Sequence, residues 1–289
     1  MATGGKEHAF PEAILRRYTR PAMLTALTRA VSPAMGSCEL TYLGRREIDI
    51  AKASRQHEGY KRCLAGLGVR VISLPAEPTM PDSVFVEDPV VVVDEVAVIA
   101  RTGAASRRAE AGSLAEALAP FRPLRHMREP ATLEGGDVLR AGRDVFVGLS
   151  PRTNQAGVAQ LTAELEPFGY KVRPVAVRGA LHFKTACSYL GEGTLLVNRG
   201  WIDAEALAGY KLVDVADEEP WAANALRIGE TVLMPAGLLR TEAILRRAGF
   251  CVQPLDVSEL QKAEGSITCM SVIFESGAGR SQSSPRGGA

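Results

Sequence analysis

Residues 134–177 read EGGDVLRAGRDVFVGLSPRTNQAGVAQLTAELEPFGYKVRPVAV, and they hold one complete structural unit. The apolar runs 138–139 and 145–149 flank the turn residues 140–144, the pattern of a β-hairpin. Ser150 and Pro151 follow as an N-cap and a first helical residue, which predicts a helix over 152–168. Residues 170–177 supply one more strand. The order is strand, strand, helix, strand.

The same order recurs on both sides. Residues 84–93 and 96–100 form a hairpin around Asp94 and Glu95, residues 188–190 and 194–197 one around Gly191–Gly193, and residues 225–228 and 231–234 one around Gly229 and Glu230. Helical stretches at 104–119, 203–207 and 238–248 belong to the same units, the last ending at Gly249 as a helix C-terminus does. The polar residues at the head of each unit are Glu87, Glu134, His182, Asn224 and Cys269, spaced by 47, 48, 42 and 45 residues. A period near that length is the mark of a repeat architecture. With the helix over 47–67 from the N-terminal region, five α/β units complete a ring whose hairpins point at a common centre. The competing reading is an open α/β sheet with accidental spacing.

Composition narrows the function. Lys and Arg number 34 against 33 Asp and Glu in 289 residues, a net charge of +1. That balance carries no electrostatic footprint for nucleic acid or an anionic membrane. The longest purely aliphatic run, 90–93, is far too short to span a bilayer. The five cysteines are odd in number and form no C-x-x-C, so neither a disulfide framework nor a zinc site is suggested. Arg16, Arg17 and Arg20 have no apolar stretch behind them, and Glu7 and Glu12 oppose a transit peptide. A cytoplasmic protein is expected. Its domain plan is an extension over 1–20, one α/β domain over 21–275 and a disordered Gly/Ser-rich tail over 276–289.

A ring places corresponding residues around one cavity. Asp82, Glu87, Asp88 and Glu134 would repel one another there unless a cation sat between them, so a cationic substrate is the natural guest; the alternative is a solvated acidic face. Cys269 follows the flexible Gly265–Ser266 turn and is the candidate nucleophile. Cys63 and Cys251 read as core, Cys38 as a loop residue, and Cys187 as lying on the opposite strand face from His182. Only His182 is in register with the repeat. His57 reads as a core histidine, while His8 and His126 lie in polar and basic surroundings.

The motifs DSVFVED (82–88), LEGGDV (133–138), SPRTNQAG (150–157), HFK (182–184) and GSITCMS (265–271) together resemble the dimethylarginine dimethylaminohydrolase family, over about 28–273. The resemblance implies a pentein fold, a five-bladed α/β-propeller around a central active-site cavity. It implies Cys269 as nucleophile, His182 as acid and base, and Glu134 as the carboxylate that orients the histidine and faces the guanidinium. Asp88 would hold the guanidinium with Glu87 beside it, and Asp82 and the Leu40 carbonyl the α-amino group. Arg107 and Arg152 would bind the α-carboxylate, Phe85 would line the pocket, and the Ala263 backbone would border it. The segment 32–40 corresponds to the family's lid but matches it loosely. The implied substrate is a methylated arginine, with no metal or organic cofactor and a monomer or homodimer as the assembly. Arginine deiminase, agmatine deiminase, amidinotransferase and a non-catalytic binding propeller are the rival readings; the trio Cys269, His182 and Glu134 argues against the last.

Overall fold

The computed structural model describes residues 23–277. The extension expected over 1–20 and all but the first two residues of the expected tail lie outside that range. The strands in chain order are β1 (Met23–Arg29), β2 (Arg70–Leu74), β3 (Val90–Val92), β4 (Ala97–Ile99), β5 (Leu124–His126), β6 (Val138–Ala141), β7 (Asp144–Leu149) and β8 (Lys171–Ala176). They continue with β9 (Cys187–Gly191), β10 (Thr194–Val197), β11 (Lys211–Asp214), β12 (Leu226–Ile228), β13 (Thr231–Pro235), β14 (Cys251–Leu255) and β15 (Val272–Ser276). β15 therefore runs through Ser276, one residue past the expected domain end.

These strands form five three-stranded sheets. Four are consecutive triplets: β3-β4-β5, β6-β7-β8, β9-β10-β11 and β12-β13-β14. In each, the middle strand pairs antiparallel with the strand before it and parallel with the strand after it. A parallel pair needs a crossover, and the residues between the second and third strands supply helical turns, as Gln155–Leu165 does between β7 and β8. The fifth sheet has the same plan but draws on both ends of the described chain, with β15 antiparallel and β2 parallel to β1. The molecule is a five-bladed α/β-propeller. The first strands of the blades face inward: β3 lies against β15, and β9 against both β6 and β12.

The hydrophobic core lies between consecutive blades. Val91 and Val98 of one hairpin pack with Val138, Val145 and Val147 of the next, and with Leu161 and Leu165 of the following helix. Leu139 and Phe146 pack in turn with Phe183, Cys187, Leu195 and Val197. Leu161, Leu165, Phe146 and Phe183 are fully buried, each stabilising by roughly 1.5–3 kcal/mol relative to exposure. Among the described residues, no helix is long and apolar enough to cross a membrane.

Three local expectations change. Residues 84–89 are turns, with Phe85 N–H on the Asp82 carbonyl at 2.9 Å, so the strand starts only at Val90. The helix after β7 starts at Gln155 with Asn154 as its cap, accepting from Gly157 N–H at 2.8 Å. Ser150 lies in a bend ahead of the helix, where its hydroxyl accepts from Arg152 N–H at 3.0 Å and donates to Asp137 at 2.6 Å. Cys251, expected in the core, is exposed at the start of β14, while Cys38 is buried. His57 is buried as expected, but its Nε2 has no partner.

Candidate active site

Each residue of the sequence period stands just ahead of an inward strand: Glu87 before β3, Glu134 before β6, His182 before β9, Asn224 before β12 and Cys269 before β15. Turns there release these side chains from the ladders and aim them at the axis. Gly135 and Gly136 make the closest approach possible. A Cβ on Gly135 would stand 2.0 Å from the Glu87 carbonyl oxygen, and one on Gly136 would stand 2.6 Å from His182 Nδ1 and 2.7 Å from Asp88 Oδ1. Gly135 N–H donates to the Asp88 carbonyl at 2.7 Å, which joins the two motifs through their backbones.

Glu134 is completely buried, and both its oxygens are engaged. Oε2 meets His182 Nε2 at 2.7 Å. Oε1 accepts from Ala104 N–H at 3.2 Å and from Arg152 Nη1 at 3.3 Å. Burial works against the imidazolium form of His182, but Asp88, Glu134 and Asp137 outweigh it and hold the ring above its ordinary value. Burial likewise opposes ionisation of Glu134, yet His182, Arg107 and Arg152 hold it well below the usual carboxylate range. Both shifts favour the charged pair, and Nδ1 is the ring nitrogen that Glu134 leaves free.

That nitrogen stands 3.8 Å from Asp88 Oδ1. Asp88 Oδ2 accepts from Arg107 Nη1 at 2.6 Å, but Oδ1 is buried and has no hydrogen-bond partner. Among the described residues it is the one buried carboxylate oxygen in that condition. Glu87, expected beside it, is occupied elsewhere: Lys184 Nζ donates to one oxygen at 2.5 Å and Thr268 Oγ1 to the other at 2.9 Å.

Arg107 is also committed. Nε and Nη2 both donate to Glu110, at 3.1 and 2.8 Å, Nη1 donates to Asp88, and Nη2 reaches the Phe85 carbonyl at 3.2 Å. The reason is charge balance: Asp88 and Glu110 are both buried, and Arg107 is the cation that both ion-pair with. Arg152 is less tightly held, at 3.3 and 3.5 Å from Glu134 and 3.1 Å from Thr41 Oγ1.

Cys269 lies in a short 3-10 turn, and its carbonyl accepts from Glu87 N–H at 3.3 Å. Burial, with the nearby charges of Glu87 and Asp88, pushes its thiol up to about 12. The other side of Cys269 opens into a cavity of about 420 Å³ lined by Tyr42, Leu43, Leu181, Trp221 and Leu238 among others. Phe85 is buried with its ring edge against Gly265, where a Cβ would stand 2.0 Å away. Asp82 accepts from Glu39 N–H at 3.1 Å, Leu40 is half-buried, and Ala263 is buried in the turn before Glu264.

Within 32–40, the segment expected to correspond to the lid, burial is mixed. Ser32 and Cys38 are buried, with Ser32 Oγ tied to the Glu77 carbonyl at 2.7 Å. The exposed, irregular stretch is 39–47. Several partners escaped the sequence reading. Asp137 accepts from Ser150, Thr153 and Phe183 N–H, at 2.6, 2.6 and 2.9 Å, and so braces the residue after His182. The fifth residue of LEGGDV was its signal. Glu110, three residues after Arg107, and Lys184, two after His182, were signalled only by that spacing.

Donor atoms of Asp88, Glu134 and His182 lie within 4.8 Å of one another. A metal would have to displace the proton that Asp88, Glu134 and Asp137 favour on this imidazole. A planar organic cation with N–H donors suits the unpartnered Asp88 oxygen better.

The family described as N,N dimethylarginine dimethylhydrolase, eukaryotic, matches residues 43–275. The chain belongs to that family. The dimethylarginine dimethylaminohydrolase of Pseudomonas aeruginosa is 37% identical over 228 residues, covering 78% of this chain and 90% of the relative. That of Streptomyces coelicolor is 38% identical over 248 residues, covering 86% and 95%. The solved Pseudomonas aeruginosa enzyme, a cysteine-to-serine mutant complexed with citrulline, superposes with a TM-score of 0.83 at 35% identity, covering 87% of this chain and all of that one. The N-terminal domain of ArgZ, a cyanobacterial arginine dihydrolase, shares the fold at TM-score 0.74 and 17% identity.

Proposed function

We propose that this dimethylarginine dimethylaminohydrolase family member hydrolyses Nω-methylated arginines, asymmetric dimethylarginine and monomethylarginine, to citrulline and the methylamine. The observation that carries the reading is Asp88 Oδ1, a buried acceptor without a partner, beside a histidine whose charged form the neighbouring carboxylates favour and the half-buried thiol of Cys269. A guanidinium N–H on that oxygen satisfies it and brings positive charge to Cys269. The thiol then ionises more readily, because a nearby cation favours thiolate.

The thiolate attacks the guanidinium carbon, forming the C–S bond. The tetrahedral centre collapses as the C–N bond to the methylated nitrogen breaks, and His182 Nδ1 gives its proton to the departing amine. A covalent thiouronium remains. Water adds to its carbon while the now neutral His182 takes a proton, and collapse breaks the C–S bond as the hydroxyl proton passes to the departing sulfur, leaving citrulline and the thiol. Glu134 keeps His182 oriented and charged between turnovers. Arg152, the less committed arginine, receives the α-carboxylate; Arg107 joins it only by exchanging one of its present partners. Asp82 and the Leu40 carbonyl hold the α-amino group, and Phe85 and Ala263 border the pocket. Five free cysteines fit a reducing, cytoplasmic setting.

The test is citrulline formation from asymmetric dimethylarginine, monomethylarginine, arginine and agmatine assayed in parallel. The methylated arginines should lead in kcat/KM. A lead by arginine or agmatine would make the chain a deiminase instead.

A further inference from the structure

Glu264 has no part in the chemistry above, yet it is held in an unfavourable backbone state. Its φ is 58°, and Glu192 is the one other described non-glycine residue with positive φ. What that conformation achieves is visible in the side chain. The carboxylate accepts N–H bonds from three successive residues: Thr41 at 3.1 and 3.0 Å to its two oxygens, Tyr42 at 2.6 Å and Leu43 at 2.6 Å. Successive backbone N–H groups converging on one anion make a nest, and here the anion belongs to the protein.

Both ends of this contact matter. Glu264 directly precedes Gly265, which seats Phe85, and stands on the turn that leads to Cys269. The nest stands on the irregular cover 39–47, where Tyr42 and Leu43 line the cavity beside Cys269. The same cover reaches the residues assigned to the amino-acid end of the substrate. Glu39 N–H donates to Asp82, and Thr41 Oγ1 accepts from Arg152. Ser106 Oγ on Glu39 and Lys262 Nζ on the Glu47 carbonyl tie down its two ends, at 2.5 and 2.9 Å. With no helix or strand of its own, residues 39–47 take their position from these side-chain ties, and Glu264 makes the most of them.

We propose that Glu264 is a positioning residue, a latch that holds 41–43 closed beside Cys269 and thereby keeps Arg152 and Asp82 set for the amino-acid end of the substrate. This rests on the substrate reading above. The latch must release its backbone bonds whenever substrate enters or citrulline leaves. Weakening it therefore loosens binding more than it slows the chemical step.

The experiment compares wild type with Glu264→Gln and Glu264→Asp by amide hydrogen exchange and by steady-state kinetics on asymmetric dimethylarginine. Bonds to a charged acceptor are stronger than neutral ones, so Glu264→Gln should speed exchange at 41–43 and raise KM, each by about tenfold or more, with kcat within about threefold. Glu264→Asp keeps the charge on a shorter arm and should fall between. If Glu264→Gln does not fold, Glu264→Asp decides by the same two readouts. Unchanged exchange, unchanged KM, or a fall in kcat alone would overturn the latch. Should wild type fail to turn over methylarginines, the substrate reading falls, while exchange at 41–43 still decides whether the latch exists.

Discussion

In the free protein Cys269 is a thiol whose surroundings oppose ionisation: burial first, then the charges of Glu87 and Asp88. Its alkylation by iodoacetamide, followed by peptide mass spectrometry, should be slow at about pH 8 and keep rising past about pH 10, where an ordinary thiol with a value near 8.5 has levelled off. A plateau below about pH 9 would mean that the thiolate forms without substrate. The two arginines should separate in a similar way. Arg107→Ala strands Asp88 and Glu110 as buried carboxylates without their cation, a loss of about 3–5 kcal/mol that a denaturant melt will register. Arg152→Ala should leave the fold largely intact and cut the preference for methylarginine over agmatine, which in wild type should reach tens-fold or more, because about 2–5 kcal/mol rides on a paired carboxylate. Undiminished discrimination in Arg152→Ala would take this residue out of substrate recognition.

At the scale of the element, the LEGGDV turn uses its two glycines differently. Alanine at 135 would drive a Cβ into backbone oxygens of Glu87 and Val90, at 2.0 and 2.5 Å, which cannot yield without moving the neighbouring blade. Gly135→Ala should therefore fail to fold or melt much earlier. Alanine at 136 meets side-chain atoms of His182 and Asp88, which can shift. Gly136→Ala should fold and lose about 10²-fold in kcat, the scale set by displacing a reacting group by about 1 Å. Near-normal turnover would show that His182 is not confined there. These elements also show what could be read in the sequence. The hairpins were legible because each blade repeats an apolar alternation around Gly or Asp turns; the period marked Glu87, Glu134, His182, Asn224 and Cys269 alike, and the family motifs assigned roles among them. The start of the helix after β7 was misread because the Ser150 hydroxyl, held by Asp137, accepts from Arg152 N–H in a bend ahead of the helix, and Asn154 makes the cap four residues later. The Glu87–Lys184 and Glu264–Tyr42 contacts join residues 97 and 222 positions apart, and no local pattern encodes such a pairing.

The whole ring is closed by one sheet. β1 pairs with β15, Thr25 Oγ1 meets Ser276 Oγ at 2.6 Å, and Phe274 packs on Phe121 at 5.2 Å between ring centres. Phe274→Ala should cost about 3–5 kcal/mol, measured by urea unfolding; a loss under about 1 kcal/mol would show that closure does not depend on this contact. Closure by the segment that carries Cys269 also orders events during synthesis. A ribosome extrudes the chain from its N-terminus, so the strands that present Asp88, Glu134 and His182 emerge first and Cys269 arrives with the strand that seals the propeller. On the proposed mechanism, a nascent or truncated chain that stops short of it has neither a finished ring nor the attacking sulfur. By the same mechanism incomplete products should be inert toward guanidines, and the Cys269 thiol emerges only when the groups that restrain it are ready to fold around it.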